Sequence, residues 1–509
     1  MRRQKILAIT LAAVFCVLIC VYFFVVAPYI RNNTDTPVET APETEAGEAV
    51  GSANRLFMFE SIESKDIARI DVDNEFGGFA FVQNSKGEFV IEGHESVPFS
   101  QEMFFQLGNV TAYTLSKTKV ATNPSAEKIE EYGLHKPQAN WTITATDGRS
   151  FKVHVGDMLL TGGGYYCMIE GRNSVYVLGE DIATTIVTPI ESYVTPVLAA
   201  GIEQNDYYTV DKFTMYRNGE KFFRIRLVPQ EEQANPDALA ENVLDYPTMY
   251  YPNSTLYYEI IYQYMGFIAD SCYDIEATDE EKAAIGLDDP AYVITFDYHN
   301  THYELYFSEK REDGTYFAAS NLYPDVIGIV NGDDLHYLEY ELIDWIDSYL
   351  YQQYITNLSE IKVTVDGVDT VFKLTHGFDK DNPELATLGV QINDRNMTAE
   401  QANNFRQYYK SMLAICIEDY YSNDEYCKMS EAEMEEYMAN DENANLIFSY
   451  TTLDGDVATY KFYPYSTRHS AVTIDGVGEF YILSDLAQKI INDTSRLLSG
   501  EMVSSNTKD

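Results

Sequence analysis

The chain has 509 residues, 45% of them hydrophobic and 14% aromatic, which excludes disorder throughout its length. This length predicts several domains, because single cores stop growing beyond about 250–300 residues. The 80 acidic and 35 basic residues give a net charge of −45, which excludes nucleic acid as a partner, since binding it depends on Lys and Arg at the phosphates. Such an acidic surface is usually a solvated one, and weak binding of divalent cations is the alternative.

The chain begins with an unbroken apolar segment, Ile6–Ala27. As a helix it would measure about 33 Å, enough to cross a hydrocarbon core of about 30 Å. Arg2, Arg3 and Lys5 precede it, so the positive-inside rule places the N-terminus in the cytoplasm. The segment is longer than the apolar part of a cleaved signal peptide. We therefore predict an uncleaved signal anchor, and a single-pass protein of the cell membrane whose bulk is extracellular.

The chain beyond the anchor shows the same order of predicted elements three times. Each pass consists of opening strands, a helix, a short motif, a hairpin and a closing helix, which indicates an internal repeat. The predicted organisation is a cytoplasmic tail at 1–5, a transmembrane signal anchor at 6–28, an acidic flexible linker at 29–57, repeat units at 58–200, 206–350 and 354–498, and a disordered tail at 499–509.

Each unit contains one predicted amphipathic helix. In the first unit, Ser100 is expected to cap a helix with Phe104, Leu107 and Thr111 on one face. In the third unit, a capping box of Thr398 and Gln401 begins the helix. The helix of the second unit has the clearest apolar face, made of Tyr257, Ile260, Ile261, Tyr264, Met265 and Ile268.

A short motif joins this part of each unit to the hairpin that follows. It reads Tyr132-Gly133-Leu134-x-x-Pro137 in the first unit, Gly286-Leu287-x-x-Pro290 in the second, and only Glu435-Glu436-Tyr437 in the third. We expect Gly133 and Gly286 to form left-handed turns that end a short helix. Leu134 and Leu287 are expected to pack on the sheet, while Pro137 and Pro290 set the path into the next strand. The motif is therefore predicted to be structural.

The chain resembles the bacterial "domain of unknown function 4340" family in four features. These are the anchor, the opening Ile67-x-x-Ile70-x-Val72, the motif with its two preceding glutamates, and the Asp147-Gly148 hairpin. The resemblance is best over residues 60–185, weaker over 206–345, and depends on element order alone over 354–498. It implies an envelope protein anchored in the membrane and often associated with ABC-type transport systems of the gliding-motility type. It implies no catalytic residues.

Candidate metal ligands are sparse. His299 and His302 flank a hairpin turn without an accompanying Glu, so solvent-exposed turn residues are favoured over a metal pair. Asp71-x-Asp73-x-Glu75 and Asp379–Asn382 resemble fragments of a calcium loop, although solvated strand-end charges are the favoured interpretation. Cys416 and Cys427 could pair as a disulfide or act as small hydrophobes. No metal site and no cofactor are predicted.

The 41 tyrosines suggest a binding surface. Tyr246, Tyr250, Tyr251 and Tyr258 lie off or before the apolar helix face of the second unit. They are a candidate aromatic patch for a glycan or a protein, with structural packing as the favoured alternative.

These observations predict an α+β fold, in which a transmembrane helix precedes three tandem repeats, each a mainly antiparallel β-sheet packed with one or two helices. The predicted function is that of a non-catalytic, membrane-anchored extracytoplasmic protein that binds or scaffolds envelope partners, as an accessory to an ABC-type transport system. The alternative is a cell-surface receptor for a glycan or protein. A cell-wall hydrolase ranks third, because it requires two carboxylates at a defined separation.

Overall fold

The structure is a computed structural model, which describes residues 48–50, 56–58, 62, 64–100, 102–104, 107, 116–228, 241–377 and 387–505. The predicted anchor Ile6–Ala27, most of the predicted linker, Thr111 and Asp379–Asn382 lie outside these residues. Within the described ranges, no helix has the length and apolarity that crossing a membrane requires.

The coarse part of the predicted fold is confirmed, since the described residues form mostly antiparallel sheets with some helices. Two small sheets pair β1 (Ala49–Val50) with β2 (Leu56–Phe57), and β11 (Val197–Ala200) with β15 (Gly266–Ile268). The strands of the first large sheet are β3 (Ile67–Asn74), β4 (Gly77–Gln83), β5 (Phe89–Ile91), β6 (Ser116–Thr122), β7 (Ala139–Ala145), β8 (Ser150–Met158), β9 (Gly164–Ile169) and β10 (Ser174–Gly179). Those of the second are β12 (Asp211–Arg217), β13 (Glu220–Val228), β14 (Glu241–Tyr246), β16 (Ser271–Asp274), β17 (Tyr292–Tyr298), β18 (Thr301–Phe307), β19 (Thr315–Ser320) and β20 (Tyr323–Asn331). Those of the third are β21 (Leu358–Val365), β22 (Val368–Gly377), β23 (Thr387–Ile392), β24 (Arg395–Asn396), β25 (Ile417–Tyr420), β26 (Leu446–Thr452), β27 (Val457–Pro464), β28 (His469–Ile474) and β29 (Val477–Leu483).

The three large sheets share one strand order. It is β5-β4-β3-β7-β8-β9-β10-β6 in the first sheet and β14-β13-β12-β17-β18-β19-β20-β16 in the second. The third sheet reads β24-β23-β22-β21-β26-β27-β28-β29-β25, which is the same order with the two-residue strand β24 added at one edge. In each sheet, one strand lies at the far edge from its neighbours in the sequence and pairs with the strand that ends the sheet in chain order. These pairs are β6 with β10, β16 with β20, and β25 with β29.

The helices that the structure describes from end to end lie between these strands, except the last, which follows β29. They are α1 (Ala126–Glu131), α2 (Glu180–Ile186), α3 (Ser254–Tyr264), α4 (Asp279–Ala284), α5 (Leu342–Trp345), α6 (Ala399–Leu413), α7 (Glu431–Met438) and α8 (Ser484–Ser499). Short 3-10 helices cover Ser64–Asp66, Ile190–Tyr193, Tyr207–Thr209, Gly332–Glu339, Ile355–Asn357, Tyr421–Asn423 and Asp441–Asn443.

The structure confirms two predicted helix starts and contradicts one predicted helix end. The capping box of Thr398 and Gln401 is present at the start of α6, and the Ser100 hydroxyl accepts a hydrogen bond from the Met103 amide at 3.3 Å. The predicted continuation of α3 to Ile268 is wrong. That helix is capped at Met265, because the following residues pair as β15 with β11, and Ile268 is exposed.

The motif occupies the helix-to-strand junction that the sequence predicts. Gly133 and Gly286 follow α1 and α4 with φ values of +69° and +74°, in the left-handed region that favours glycine. Leu134 and Leu287 are buried. At the third copy of the motif, α7 is capped by Ala439 in the right-handed conformation, which agrees with the absence of a glycine there.

Internal contacts divide the chain into two compact units. The N-terminal unit comprises Met1–Glu95 and Ser100–Tyr193, and it contains the first sheet. Its core includes Trp141, fully buried on β7, and Phe81, whose ring centre lies 4.9 Å from that of Tyr193.

The C-terminal unit comprises Ser96–Phe99 and Val194–Asp509, and it contains both the second and third sheets around one continuous hydrophobic core. The segment after β14 joins the two sheets. There the Thr248 hydroxyl donates to the Ile474 carbonyl oxygen at 3.1 Å, and the ring centres of Tyr250 and Phe480 lie 5.6 Å apart. The predicted boundary between residues 350 and 354 therefore falls inside one compact unit.

Candidate ligand-binding cavities of the C-terminal unit

The four tyrosines of the predicted aromatic patch do not share one exposed surface. Tyr250 and Tyr251 are 3% and 8% exposed, because they pack in the segment that joins the second and third sheets. Tyr258 is partly buried and its hydroxyl accepts a hydrogen bond from the Asn242 amide at 2.7 Å. Tyr246 is exposed, with the Lys221 ammonium 5.2 Å from its ring centre. Packing is therefore the role that the structure gives to Tyr250 and Tyr251.

The two histidines of the H-x-x-H pattern contact different carboxylates. His299 Nε2 lies 2.6 Å from Asp206 Oδ2, and His302 Nδ1 lies 2.5 Å from Asp297 Oδ1. Lys212 also contacts Asp297, at 3.2 Å. Within the described residues, no group of three or more His, Cys, Asp or Glu side chains could hold a metal ion.

The remaining sequence candidates also have local roles. Asp71, the first residue of the calcium-like stretch, accepts a hydrogen bond from the Arg69 guanidinium at 2.8 Å. Cys416 and Cys427 are both free thiols, each with its Sγ 3.6 Å from a nearby carbonyl oxygen.

A first cavity, the acidic pocket, has a volume of about 410 Å³ and lies between β13 and β14 of the second sheet and the β26–β27 hairpin of the third. Its walls combine carboxylates, amides and hydroxyls with apolar side chains. It is lined by Arg226, Val228, Glu241, Val243, Asp245, Thr248, Met249, Gln353, Asn357, Tyr450, Thr452, Leu453, Asp454, Asp456, Val457, Ala458 and Asp475.

Two carboxylates of the acidic pocket differ in their pairing. Asp245 accepts two hydrogen bonds of 2.8 Å from the Arg224 guanidinium, and Arg226 lies 3.7 Å away. Glu241 has no cation within ion-pair distance among the described residues, and its burial raises the pKa of that carboxyl above the ordinary value. The pocket can therefore accept a hydrogen-bond donor or a cationic group at Glu241.

A second cavity, the tyrosine groove, has a volume of about 610 Å³ and lies between α6 and the irregular segment that precedes the third sheet. It is lined by Tyr349, Tyr351, Gln352, Gln353, Tyr354, Ile355, Asn403, Arg406, Gln407, Tyr409, Lys410 and Leu413. The α6 residues at 403, 406, 407 and 410 follow the spacing of one helix face, which is distinct from the buried face at 405, 408 and 412.

The floor and the rim of the tyrosine groove differ in burial. On the floor, the hydroxyls of the buried Tyr351 and Tyr409 lie 3.0 Å apart, and the Tyr409 hydroxyl donates to the Gln353 carbonyl oxygen. On the rim, Tyr349 and Tyr354 are 48% and 64% exposed. Gln353 lines both cavities and is 8% exposed, so the acidic pocket and the tyrosine groove share one wall.

Neither cavity is predicted from the sequence. The capping box predicts α6, and the polar residues Asn403, Arg406, Gln407 and Lys410 have a readable helical spacing. However, solvated helix faces commonly carry such residues, so this spacing alone gives no binding signal. The cavity exists because Tyr349 and Tyr354 approach that face from a different segment.

No protein-family model, curated protein or solved structure matches the chain. The resemblance described from the sequence therefore stays a prediction.

Proposed function

We propose that this chain is a membrane-anchored extracytoplasmic protein that binds or scaffolds envelope partners, as a non-catalytic accessory to an ABC-type transport system. The apolar segment Ile6–Ala27 and the basic residues before it support the anchor and its orientation. The transport setting follows from the family resemblance.

The observation that carries the binding role is the pair of cavities in the C-terminal unit. Their volumes, about 410 and 610 Å³, lie within the range of about 300–1,000 Å³ that ligand sites occupy. Both cavities combine apolar walls with converging polar side chains. Polar side chains such as Glu241 and Gln352 line these cavities and offer hydrogen-bonding groups to an occupant.

The three-repeat interpretation supports a scaffold. A shared strand order in three sheets agrees with one ancestral unit used three times. The motif at Gly133 and Gly286 is then a structural junction rather than a shared functional centre, because a functional centre would need the same residues in every copy. The third copy lacks the glycine.

The proposal is tested by crosslinking the tagged full-length chain in intact cells with an amine-reactive reagent that does not cross membranes, followed by mass spectrometry. We expect integral membrane subunits of a transporter to be enriched with the chain, because its lysines beyond residue 28 would face the reagent. An equally abundant single-pass protein with the same tag provides the control. Enrichment of no envelope protein above that control would contradict the proposal.

A further inference from the structure

The tyrosine groove carries a positive pair of side chains in a chain whose net charge is −45. Arg406 and Lys410 lie one turn apart on α6, on the face that lines the groove. Neither forms an ion pair with a carboxylate among the described residues, whereas lysines such as Lys373 and Lys461 do. A groove with two uncompensated cations favours an anionic ligand.

The other lining groups indicate the chemical class of the ligand as well as its charge. The exposed rings of Tyr349 and Tyr354 offer flat apolar faces of the kind that stack on the C–H face of a sugar ring. Side-chain amides from Gln352, Asn403 and Gln407 both donate and accept hydrogen bonds, which matches sugar hydroxyls. Among the described residues, the Gln352 Nε2 atom has no hydrogen-bond partner, so this amide is not already committed to another group.

We propose that the tyrosine groove binds an anionic carbohydrate, with the sugar rings on Tyr349 and Tyr354 and the acidic group at Arg406 and Lys410. This inference rests on the proposed binding function and gives it a ligand class. The planar Arg406 guanidinium suits a carboxylate or phosphate group on the sugar, because it can donate two parallel hydrogen bonds.

An acidic peptide shares the charge but fits the groove less well. Extended peptides commonly bind by adding a strand to a sheet edge, and amphipathic helices need a continuous apolar groove. Here the lining residues belong to α6 and to the irregular segment 349–355, and amides interrupt the aromatic surface. The observations therefore favour a carbohydrate.

The test is isothermal titration of the full-length chain in detergent micelles with three probes of similar length. These are an oligogalacturonate, a neutral galacto-oligosaccharide and an oligoglutamate, with a phosphorylated oligosaccharide as a further arm that separates phosphate from carboxylate as the acidic group. We expect binding of at least one anionic sugar, weakened by salt, and about tenfold or more weaker binding of the neutral sugar. Equal or tighter binding of the oligoglutamate, or no binding of any anionic sugar, would overturn the proposal.

Matched variants assign that binding to the groove. Arg406→Gln with Lys410→Gln should weaken the anionic sugar about tenfold or more, because a charge-assisted hydrogen bond is lost at each position. Arg395→Gln with Lys136→Gln removes the same two charges from exposed positions outside the groove, and it should leave the affinity unchanged. Equal losses in both double variants would show a general charge effect and contradict the assignment.

Removal of one ring tests stacking separately from charge. Tyr354→Ala changes a side chain that is 64% exposed, so its unfolding midpoint should match that of the parent chain. Binding of the anionic sugar should nevertheless weaken about tenfold. An unchanged affinity would exclude the stacking role.

The two proposals can fail independently. In one outcome, the parent chain binds no anionic sugar, and the Arg406→Gln, Lys410→Gln variant still crosslinks to envelope partners as strongly as the parent. That outcome would support the scaffold function and contradict the ligand assignment. Sugar binding without any crosslinked envelope partner would support the ligand assignment and contradict the scaffold function.

Discussion

Asp157 closes the space next to Gly133. A β-carbon on Gly133 would lie 2.4 Å from Asp157 Oδ1 and 2.7 Å from the Asp157 backbone nitrogen. That nitrogen donates a hydrogen bond of 2.9 Å to the Tyr132 carbonyl oxygen, which holds the end of β8 against the end of α1. At Gly286, the glycine of the second copy of the motif, no atom of the described residues other than those of its chain neighbours lies within 4 Å of the position of a β-carbon.

The first prediction follows from this difference. Gly286→Ala should cost about 1–2 kcal/mol, the penalty of a left-handed alanine, whereas Gly133→Ala should cost about 3 kcal/mol or more, because it adds a steric clash. Urea unfolding measures both costs. The chain has two tryptophans, so Trp345→Phe leaves Trp141 as a reporter of the N-terminal unit and Trp141→Phe leaves Trp345 for the C-terminal unit. Equal costs would show that Asp157 moves aside easily.

Arg217 provides a second prediction. Its Nη2 donates to the carbonyl oxygens of Leu338, at 2.7 Å, and Tyr340, and its guanidinium lies 3.8 Å from the ring centre of Phe222. Arg217→Lys should destabilise the C-terminal unit by about 1–3 kcal/mol, because an ammonium has no planar group to stack on Phe222 while it donates to the two carbonyl oxygens.

The control for Arg217 is Arg226→Lys, on the neighbouring strand. The Arg226 side chain is 40% exposed and lies 3.7 Å from Asp245, so its replacement should change stability by less than about 0.5 kcal/mol. Both variants are compared by the urea midpoint of Trp345 fluorescence. An Arg217→Lys variant as stable as the control would contradict a specific role for the guanidinium.

The continuous core of the C-terminal unit gives a third prediction. Trp345 packs in the second sheet, with its ring centre 4.4 Å from that of Phe223, whereas Phe448 packs in the third sheet, 4.7 Å from Tyr460. Phe448→Leu should cost about 1–3 kcal/mol. Since one core spans both sheets, the midpoint of the Trp345 transition should shift with it, although Trp345, on helix α5, packs against the other sheet.

Hydrogen exchange detected by mass spectrometry of peptides checks this coupling strand by strand. Protection should fall together in β17 and β26 of the Phe448→Leu variant, while β7 of the N-terminal unit remains as in the parent chain. A loss confined to the third sheet would show that the two sheets unfold separately.

The pH dependence of stability forms a fourth prediction. The hydrogen bond with Asp297 raises the pKa of His302 above its ordinary value of 6.5. A raised folded-state pKa stabilises the fold fully below pH 6.5, and this stabilisation is lost as the pH rises from 6.5 through the folded-state value. Because His302 is about half exposed, the loss should stay below about 1 kcal/mol.

The measurement compares urea midpoints of the Trp345 transition across that pH window. In His302→Gln, this part of the decline should disappear. His135→Gln changes an exposed histidine of the N-terminal unit and should leave the Trp345 transition unaltered. A parent chain that becomes more stable as the pH rises through this window would contradict the sign of the prediction.

Local chemistry made several elements readable from the sequence. Gly133 and Gly286 adopt the left-handed conformation that a helix end requires, and Thr398 with Gln401 begins α6 as a capping box, because these features depend on residues within a few positions of one another. The error at Ile268 shows the limit of periodicity. Residues after Met265 have a helical pattern but pair instead with β11, nearly seventy residues earlier in the chain.

The sequence by itself determined the antiparallel, sheet-dominated class and the helix-to-strand motif, since turn residues and side-chain periodicity act over short distances. The tertiary structure alone decided which tyrosines are buried and where cavities form. Tyr250 is buried because Phe480 packs on it, and the tyrosine groove exists because segment 349–355 lies beside α6. Such contacts join residues tens to hundreds of positions apart, and their energy depends on the packing of the whole core, which no local pattern encodes.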